Sequence, residues 1–528
     1  MKLRNRNRES LGATLLVLGI SASVGAVTLP NVAEICEEES APVEKHRYLR
    51  ALSLDLTGAP PSLEQYEELE LLGEVPEEWI DGMLESEGFV ERFIRFHRSL
   101  LWNNISNVNL LNAGARLRLN RDGNFRTNSS RSALYRGEVV ECLDEPLVYD
   151  DEGAIVTTPA GEANQEGRRD VVPFWDEGAV VSVCGFNAQE ALVSVTGTDC
   201  ASQDGRGDPG CGCGPDLRWC GRGADIAVVL NSFGESLEKT LEYLVREGRP
   251  YTELFTTRVT YVNGPLVHYW RHWTGMSSGV RNLPAPLDIS LLPELPFSAA
   301  ETWVQVTLPE VHAGVLTSPA YLLRFQTNRG RASQFYTQFL CKPFQPPSGA
   351  LPVADEAALN EPDLQKRAGC KYCHGLLEPA AAYWGRWPQS GAGYLDGASY
   401  PEMKEECLLC ATTGASCPDD CSRFYHTVSL GDSDEGFLGQ LASLLFLRTE
   451  HRVHVAEGPG LLAMKSFATN ELPTCAVQRA AERLLGRSLG AEEAPLLEEW
   501  TRAFAVSGYR YRALIKAIVG SDLYRSVP

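Results

Sequence analysis

The chain has 528 residues, room for three or four domains of about 150 residues each. Hydrophobic residues make up 44% and charged residues 22%, near globular averages, which excludes a wholly disordered chain. A net charge of −21 repels nucleic acid and anionic membrane surfaces, and so excludes general nucleic-acid binding as the main task.

Residues 1–26 have the order of a secretory signal peptide. Lys2, Arg4, Arg6 and Arg8 form a basic start, Leu11 to Ile20 is mostly apolar, and small residues follow up to Ala26. An uncleaved anchor is the alternative to cleavage. Cleavage removes those four bases and one acid, Glu9, and takes the net charge from −21 to −24. Cys36 follows Glu34 and Ile35 rather than a lipobox, so no lipid anchor is expected. The mature chain is expected in the periplasm or at the cell surface, without a transmembrane span, where disulfides are the default state of paired cysteines.

Residues 27–136 read as an N-terminal helical domain. Ser62 and Gln65 have the spacing of a capping box, and Phe89, Phe93, Phe96 and Leu100 share one helical face. These two elements are expected to pack on each other. Residues 137–225 differ in composition, being rich in Gly, Asp and Val, with short β-prone runs such as Val180 to Val183. Six cysteines lie here: Cys142, Cys184, Cys200, Cys211, Cys213 and Cys220. The Gly- and Pro-rich run 209–215 breaks both helix and strand. The segment reads as an irregular or β insertion stapled by disulfides; a zinc site is the alternative, but it lacks a local His.

Helical periodicity returns in residues 226–345, with Phe233, Leu237, Leu241, Leu244 and Val245 in one stripe. Residues 284–296 read as a loop, and Pro343 to Pro352 as a linker. Residues 353–470 hold the motif that carries chemistry, and residues 471–528 read as two or three helices. The fold class is therefore mainly α and multidomain, with an irregular or β disulfide-rich insertion and the motif-bearing segment set between helical domains.

Cys370-Lys371-Tyr372-Cys373-His374 is the Cys-x-x-Cys-His pattern of c-type haem attachment. Two thiols three residues apart reach the two vinyl groups of one haem, and the adjacent His supplies the proximal iron ligand. Asp363 to Gly369 is expected to form a helix leading into the site. A backbone carbonyl near Pro379 is expected to accept from His374 Nδ1. Half a zinc site and a thiol redox pair are the alternatives. For the distal position the candidates are Met403 and Met464, then His426, or an open site. Met83 and Met276 are the other methionines of the mature chain. Tyr372, Tyr383, Trp384 and Trp387 are candidates for an apolar wall around the haem.

Cys407, Cys410, Cys417 and Cys421 could ligate zinc or an iron–sulfur cluster, but in an exported chain two local disulfides are expected. Setting aside the two haem cysteines leaves an odd number of the 15, so at least one further thiol stays outside local pairs. Cys36, Cys341 and Cys475, isolated in sequence, are the candidates. His268 and His272, and likewise His451 and His454, read as packing rather than as metal pairs. No nucleophile elbow, zinc-protease helix or phosphate-binding Gly-Lys loop is present.

Several segments together resemble the multidomain cytochrome c proteins of planctomycete type. Tyr48 to Ser62 looks like the opening of an uncharacterised helical domain of that group. Gly248 to Leu254, Tyr261-Val262-Asn263 and His312 to Ala320 are similar to a further one. Ser507 to Asp522 resembles the closing helical domain. In those proteins an Asp-Pro usually follows the haem motif; here the pair is Glu378-Pro379. The resemblance implies an exported haem protein. Cys370, Cys373 and His374 carry over residue by residue, whereas no distal ligand and no substrate do.

The reading is thus an exported monohaem c-type cytochrome performing one-electron transfer with a redox partner protein. Two alternatives stand beside it. One is an extracytoplasmic oxidoreductase in which haem serves a second substrate site. The other is a surface binding protein with structural disulfides.

Overall fold

The computed structural model describes residues 43–526 apart from 107, 112, 128–140, 162, 203, 275–284 and 345–358. The expected leader, Cys36, Met276 and most of the Pro-rich linker lie outside the described residues. Helices dominate, with a few small sheets.

Helix α1 (Lys45–Thr57) stops at Gly58, whose φ of 80° is the left-handed conformation of a helix end. Helix α2 (Leu63–Leu72) begins with the reciprocal cap foreseen in sequence. Gln65 N donates to Ser62 Oγ at 3.2 Å, and Ser62 N to Gln65 Oε1 at 2.9 Å. Helix α3 (Glu77–Glu85) leads into α4 (Glu87–Leu101), which buries Phe89, Phe93, Phe96 and Leu100. The capped helix and the Phe-rich helix were expected to meet; instead both pack on α1. Helix α2 buries only Leu69, and its Leu63 and Leu71 stay exposed.

The insertion contributes a hairpin and two strands of a four-stranded sheet; the other two strands come from residues 117–127, at the end of the segment expected to be helical. Strands β1 (Leu117–Leu119) and β2 (Phe125–Thr127) are antiparallel, with Leu117 opposite Thr127. Strands β3 (Thr157–Ala160) and β4 (Ala163–Glu166) make the hairpin. Strand β5 (Arg168–Val171) pairs antiparallel with β6 (Val181–Cys184), and β6 runs parallel to β2, giving the order β1-β2-β6-β5. Disulfides Cys142–Cys184, Cys200–Cys211 and Cys213–Cys220 staple the segment, and the last two enclose the Gly- and Pro-rich run.

Helix α5 (Gly223–Arg246) turns its predicted stripe into the core and packs on α4. Strand β7 (Val259–Val262) precedes α6 (Gly264–His268) and pairs with β8 (Val304–Thr307). His268 stacks on Phe174 at 3.9 Å and its Nε2 meets Arg218 O at 3.1 Å, a packing role. Helices α7 (Pro319–Arg324) and α8 (Asn328–Phe339) close this part.

Asp363 to Gly369 is a series of turns, not the expected helix. Asp363 Oδ1 accepts from Gln365 N at 2.9 Å, and Gly369 takes φ 76°. That side-chain turn and the left-handed glycine both compete with helix. Helix α9 (Lys371–Ala381) starts inside the Cys-x-x-Cys-His motif. Helices α10 (Glu405–Thr413) and α11 (Asp419–Phe424) are clamped by Cys407–Cys421 and Cys410–Cys417. Helix α12 (Thr449–Ala468) bends at Gly458-Pro459, where Gly458 has φ 71°. The chain ends in α13 (Glu471–Leu485), α14 (Ala494–Val506), α15 (Tyr511–Val519) and α16 (Asp522–Arg525).

One hydrophobic core runs from Tyr48 to Tyr524 and takes in the helices at both ends of the chain. Tyr48 Oη donates to Val519 O at 3.0 Å, and Tyr524 Oη to Asp55 Oδ2 at 2.8 Å. A smaller core around Leu395, Phe424, Leu441 and Val455 belongs to the segment after α9. Cys341–Cys475 joins α8 to α13. No helix among the described residues is long and apolar enough to cross a membrane.

Candidate functional site

The first turn of α9 brings Cys370, Cys373 and His374 together. Cys373 N and His374 N both donate to Cys370 O, at 3.2 and 3.0 Å, so the motif is already wound into helix. All three side chains are partly exposed. The twelve other described cysteines form six disulfides, whereas Cys370 and Cys373 remain thiols.

One helical turn beyond His374 lies Glu378. His374 Nδ1 donates to Glu378 Oε1 at 2.5 Å. The same oxygen accepts from Arg329 Nε, at the start of α8, at 2.7 Å. The carboxylate is thus fixed from a second helix, and it fixes the imidazole in turn. The expected acceptor, the carbonyl of Pro379, is taken by another histidine: His454 Nδ1 donates to it at 2.9 Å. The reason is geometric. An i+4 side chain stands beside His374 on one helix face, whereas the carbonyl of Pro379 is turned to α12. His454 also stacks on Tyr383, with centroids 4.2 Å apart.

A cavity of about 660 Å³ opens along the same face of α9, where Glu378, Ala381 and Ala382 form one wall. Leu364, Leu445 and Phe446 are among the opposing residues. This volume lies within the range of about 300–1,000 Å³ typical of cofactor pockets, but Cys370, Cys373 and His374 are not among its lining residues.

None of the distal candidates named from the sequence lines that cavity. Met403 is 42% exposed and bridges to Gln440, and Met464 is 41% exposed on α12. His426 Nε2 is hydrogen-bonded to Asp434 Oδ2 at 3.1 Å. Backbone amides and Ser429 hold the Asp434 carboxyl below its usual range, so it stays ionised opposite His426.

None of the four flanking aromatics, Tyr372, Tyr383, Trp384 and Trp387, lines that cavity either. Tyr372 is largely exposed, while Trp384 and Trp387 point into the main core. Trp384 Nε1 donates to Leu316 O at 3.0 Å, and Trp387 meets the His312 ring edge-on at 5.1 Å. Their work is to dock α9 on the rest of the molecule.

Arg331 is a residue that sequence reasoning missed. It is fully buried without a carboxylate partner among the described residues, and burial pushes it down to about 9. Its guanidinium donates to the carbonyls of Leu322, Phe325, Trp387, Pro388 and Gly391 and to Asn328 Oδ1. It ties the loop after α9 to α7 and α8. No sequence signal marks it, because most of its partners are backbone groups.

The cysteine cluster raised as a metal candidate forms the two disulfides of α10 and α11. No group of three or more His, Cys, Asp or Glu suited to a metal ion occurs among the described residues. Comparison with protein-family models, with curated proteins and with solved structures returns no match.

Proposed function

We propose that this chain is an exported c-type cytochrome that carries one covalent haem c and moves single electrons outside the cytoplasm. The reading rests on the hydrogen bond between His374 and Glu378. With Nδ1 donating to a carboxylate, the lone pair of Nε2 is kept for iron, and the carboxylate raises its basicity. Cys370 and Cys373, thiols in a chain otherwise rich in disulfides, supply the sulfurs for two thioethers. Arg329 holds Glu378, and Glu378 holds the ring. The haem, once bound, supplies one-electron exchange between ferric and ferrous iron.

Six disulfides and the basic-then-apolar leader agree with an oxidising compartment, the periplasm or the cell surface. The resemblance of several segments to planctomycete-type cytochrome c proteins supports the same assignment. The electron donor and acceptor are separate redox proteins.

The test is a pyridine haemochrome spectrum of protein secreted by a host competent in c-haem maturation. The wild type is expected to give a c-type band, and Cys370→Ala a band shifted toward single-thioether character. A folded wild-type protein with no band overturns the proposal.

A further inference from the structure

A second cavity lies away from α9. It encloses about 220 Å³ and shares no lining residue with the larger one. Four parts of the chain converge on it: α4, the end of α5, the Gly248 to Leu254 segment and the start of α15. Its floor is deep in the main core, where Phe93, Leu244, Tyr251 and Leu254 are buried. Tyr251 lies nearly parallel to Tyr511 with centroids 5.7 Å apart. The walls are thus apolar and largely aromatic.

The charged groups of the lining are all arginines, and no acid lines the cavity. Arg249 is neutralised by Glu253, at 2.8 Å. Arg510 and Arg512 are not. Arg510 donates to Gly248 O, and Arg512 Nε to Leu84 O at 2.9 Å. Neither meets a carboxylate among the described residues, so each keeps N–H donors and a full positive charge for a visitor. Tyr511 adds a hydroxyl with no hydrogen-bond partner among the described residues. Burial raises its phenol above the usual value, so it stays protonated and able to donate. By contrast, the Tyr251 hydroxyl is already used, donating to His97 Nε2 at 3.1 Å.

We propose that this cavity binds a small aromatic monocarboxylate. The ring lies in the cavity against the wall that Phe93, Tyr251 and Tyr511 build by packing on one another, and the carboxylate meets Arg510 and Arg512. Size sets the class: an apolar cavity of about 150 Å³ holds benzene, so 220 Å³ admits one ring with a short acid arm. Charge sets the head group, since guanidinium forks match a planar carboxylate. The molecule's overall negative charge disfavours anions in general, which confines binding to this locally basic mouth. The site is independent of the haem reading.

The probes are 3-phenylpropionate and its uncharged amide, titrated calorimetrically into the full secreted chain. The acid is expected to bind at least about tenfold more tightly than the amide, the effect of a charge-assisted hydrogen bond. Arg512→Gln is expected to weaken the acid more than the amide and so to narrow that difference. Leu244→Trp, which fills the cavity, is expected to abolish both. No binding of the acid to the wild type at millimolar concentration overturns the proposal, as does equal affinity for acid and amide. Because both outcomes are read on the unaltered protein, misfolding of a variant does not shield it.

Discussion

Glu378 illustrates what one side chain does for its neighbour. If His374 holds iron as proposed, the negative charge beside its imidazole would favour ferric over ferrous iron. Glu378→Gln keeps the shape and removes the charge. The expected result is an upward shift of the midpoint potential in a redox titration, with the c-type band retained; an unchanged potential sinks the idea. Cys370, Cys373 and His374 stood out in sequence because their Cys-x-x-Cys-His spacing is local, and the structure winds all three into one helical turn. The partner of His374 did not. The reading looked to a backbone carbonyl near Pro379 and passed over Glu378, which the helix sets one turn beyond His374 on the same face. Arg331 lay beyond reach altogether, since the carbonyls it gathers on the far side belong to residues 387, 388 and 391.

Two glycines make opposite demands of the helices around them. Gly82 in α3 has nothing within 4 Å of an added Cβ. Gly82→Ala is expected to stabilise the chain by about 0.5–1 kcal/mol, the helix preference for alanine. Gly385, just after α9, is different. A Cβ there meets Val455 Cγ2 of α12 at 2.8 Å and Ala382 O at 2.9 Å. Gly385→Ala is expected to push α12 away from α9 and cost about 1–3 kcal/mol, as overpacking does. Urea unfolding of the two variants beside the wild type checks both signs. Periodicity made α4 and α5 readable, because their apolar residues recur on one face. The turns at Asp363 hid behind a polar run that looked equally fit for helix. The pairing of β2 with β6 was hidden too, because parallel partners 58 residues apart leave no local turn signal.

At the scale of the molecule, burial of histidines links stability to acidity. Burial lowers His97, His272 and His312 to about 4, and His268 well below its usual value. Unfolded, each titrates near 6.5. Between about pH 4 and 6.5 the unfolded chain therefore binds more protons than the folded one. Stability is full above that window and falls as pH drops through it, by up to about 1.4 kcal/mol per pH unit for each histidine. Urea unfolding at pH 7.5 and pH 5 measures the slope. His97→Gln, whose amide oxygen still accepts from Tyr251, is expected to flatten it by one histidine's share. The sequence divided the chain into consecutive segments by composition. What composition does not carry is that α1 and α16 close on each other, so that both ends of the chain complete one core.

The Cys341–Cys475 bridge has a mechanical consequence. It closes a covalent ring with a sequence separation of 134 residues, and all of α9 to α12 lies inside it. Tension applied at the two chain ends passes through the bridge and leaves the ring slack. At about 3.4 Å per residue, roughly 450 Å of contour stays hidden from a single-molecule pulling experiment. Reductant is expected to release that length as an added extension, while the oxidised chain stretches as though the segment bearing Cys370, Cys373 and His374 were absent.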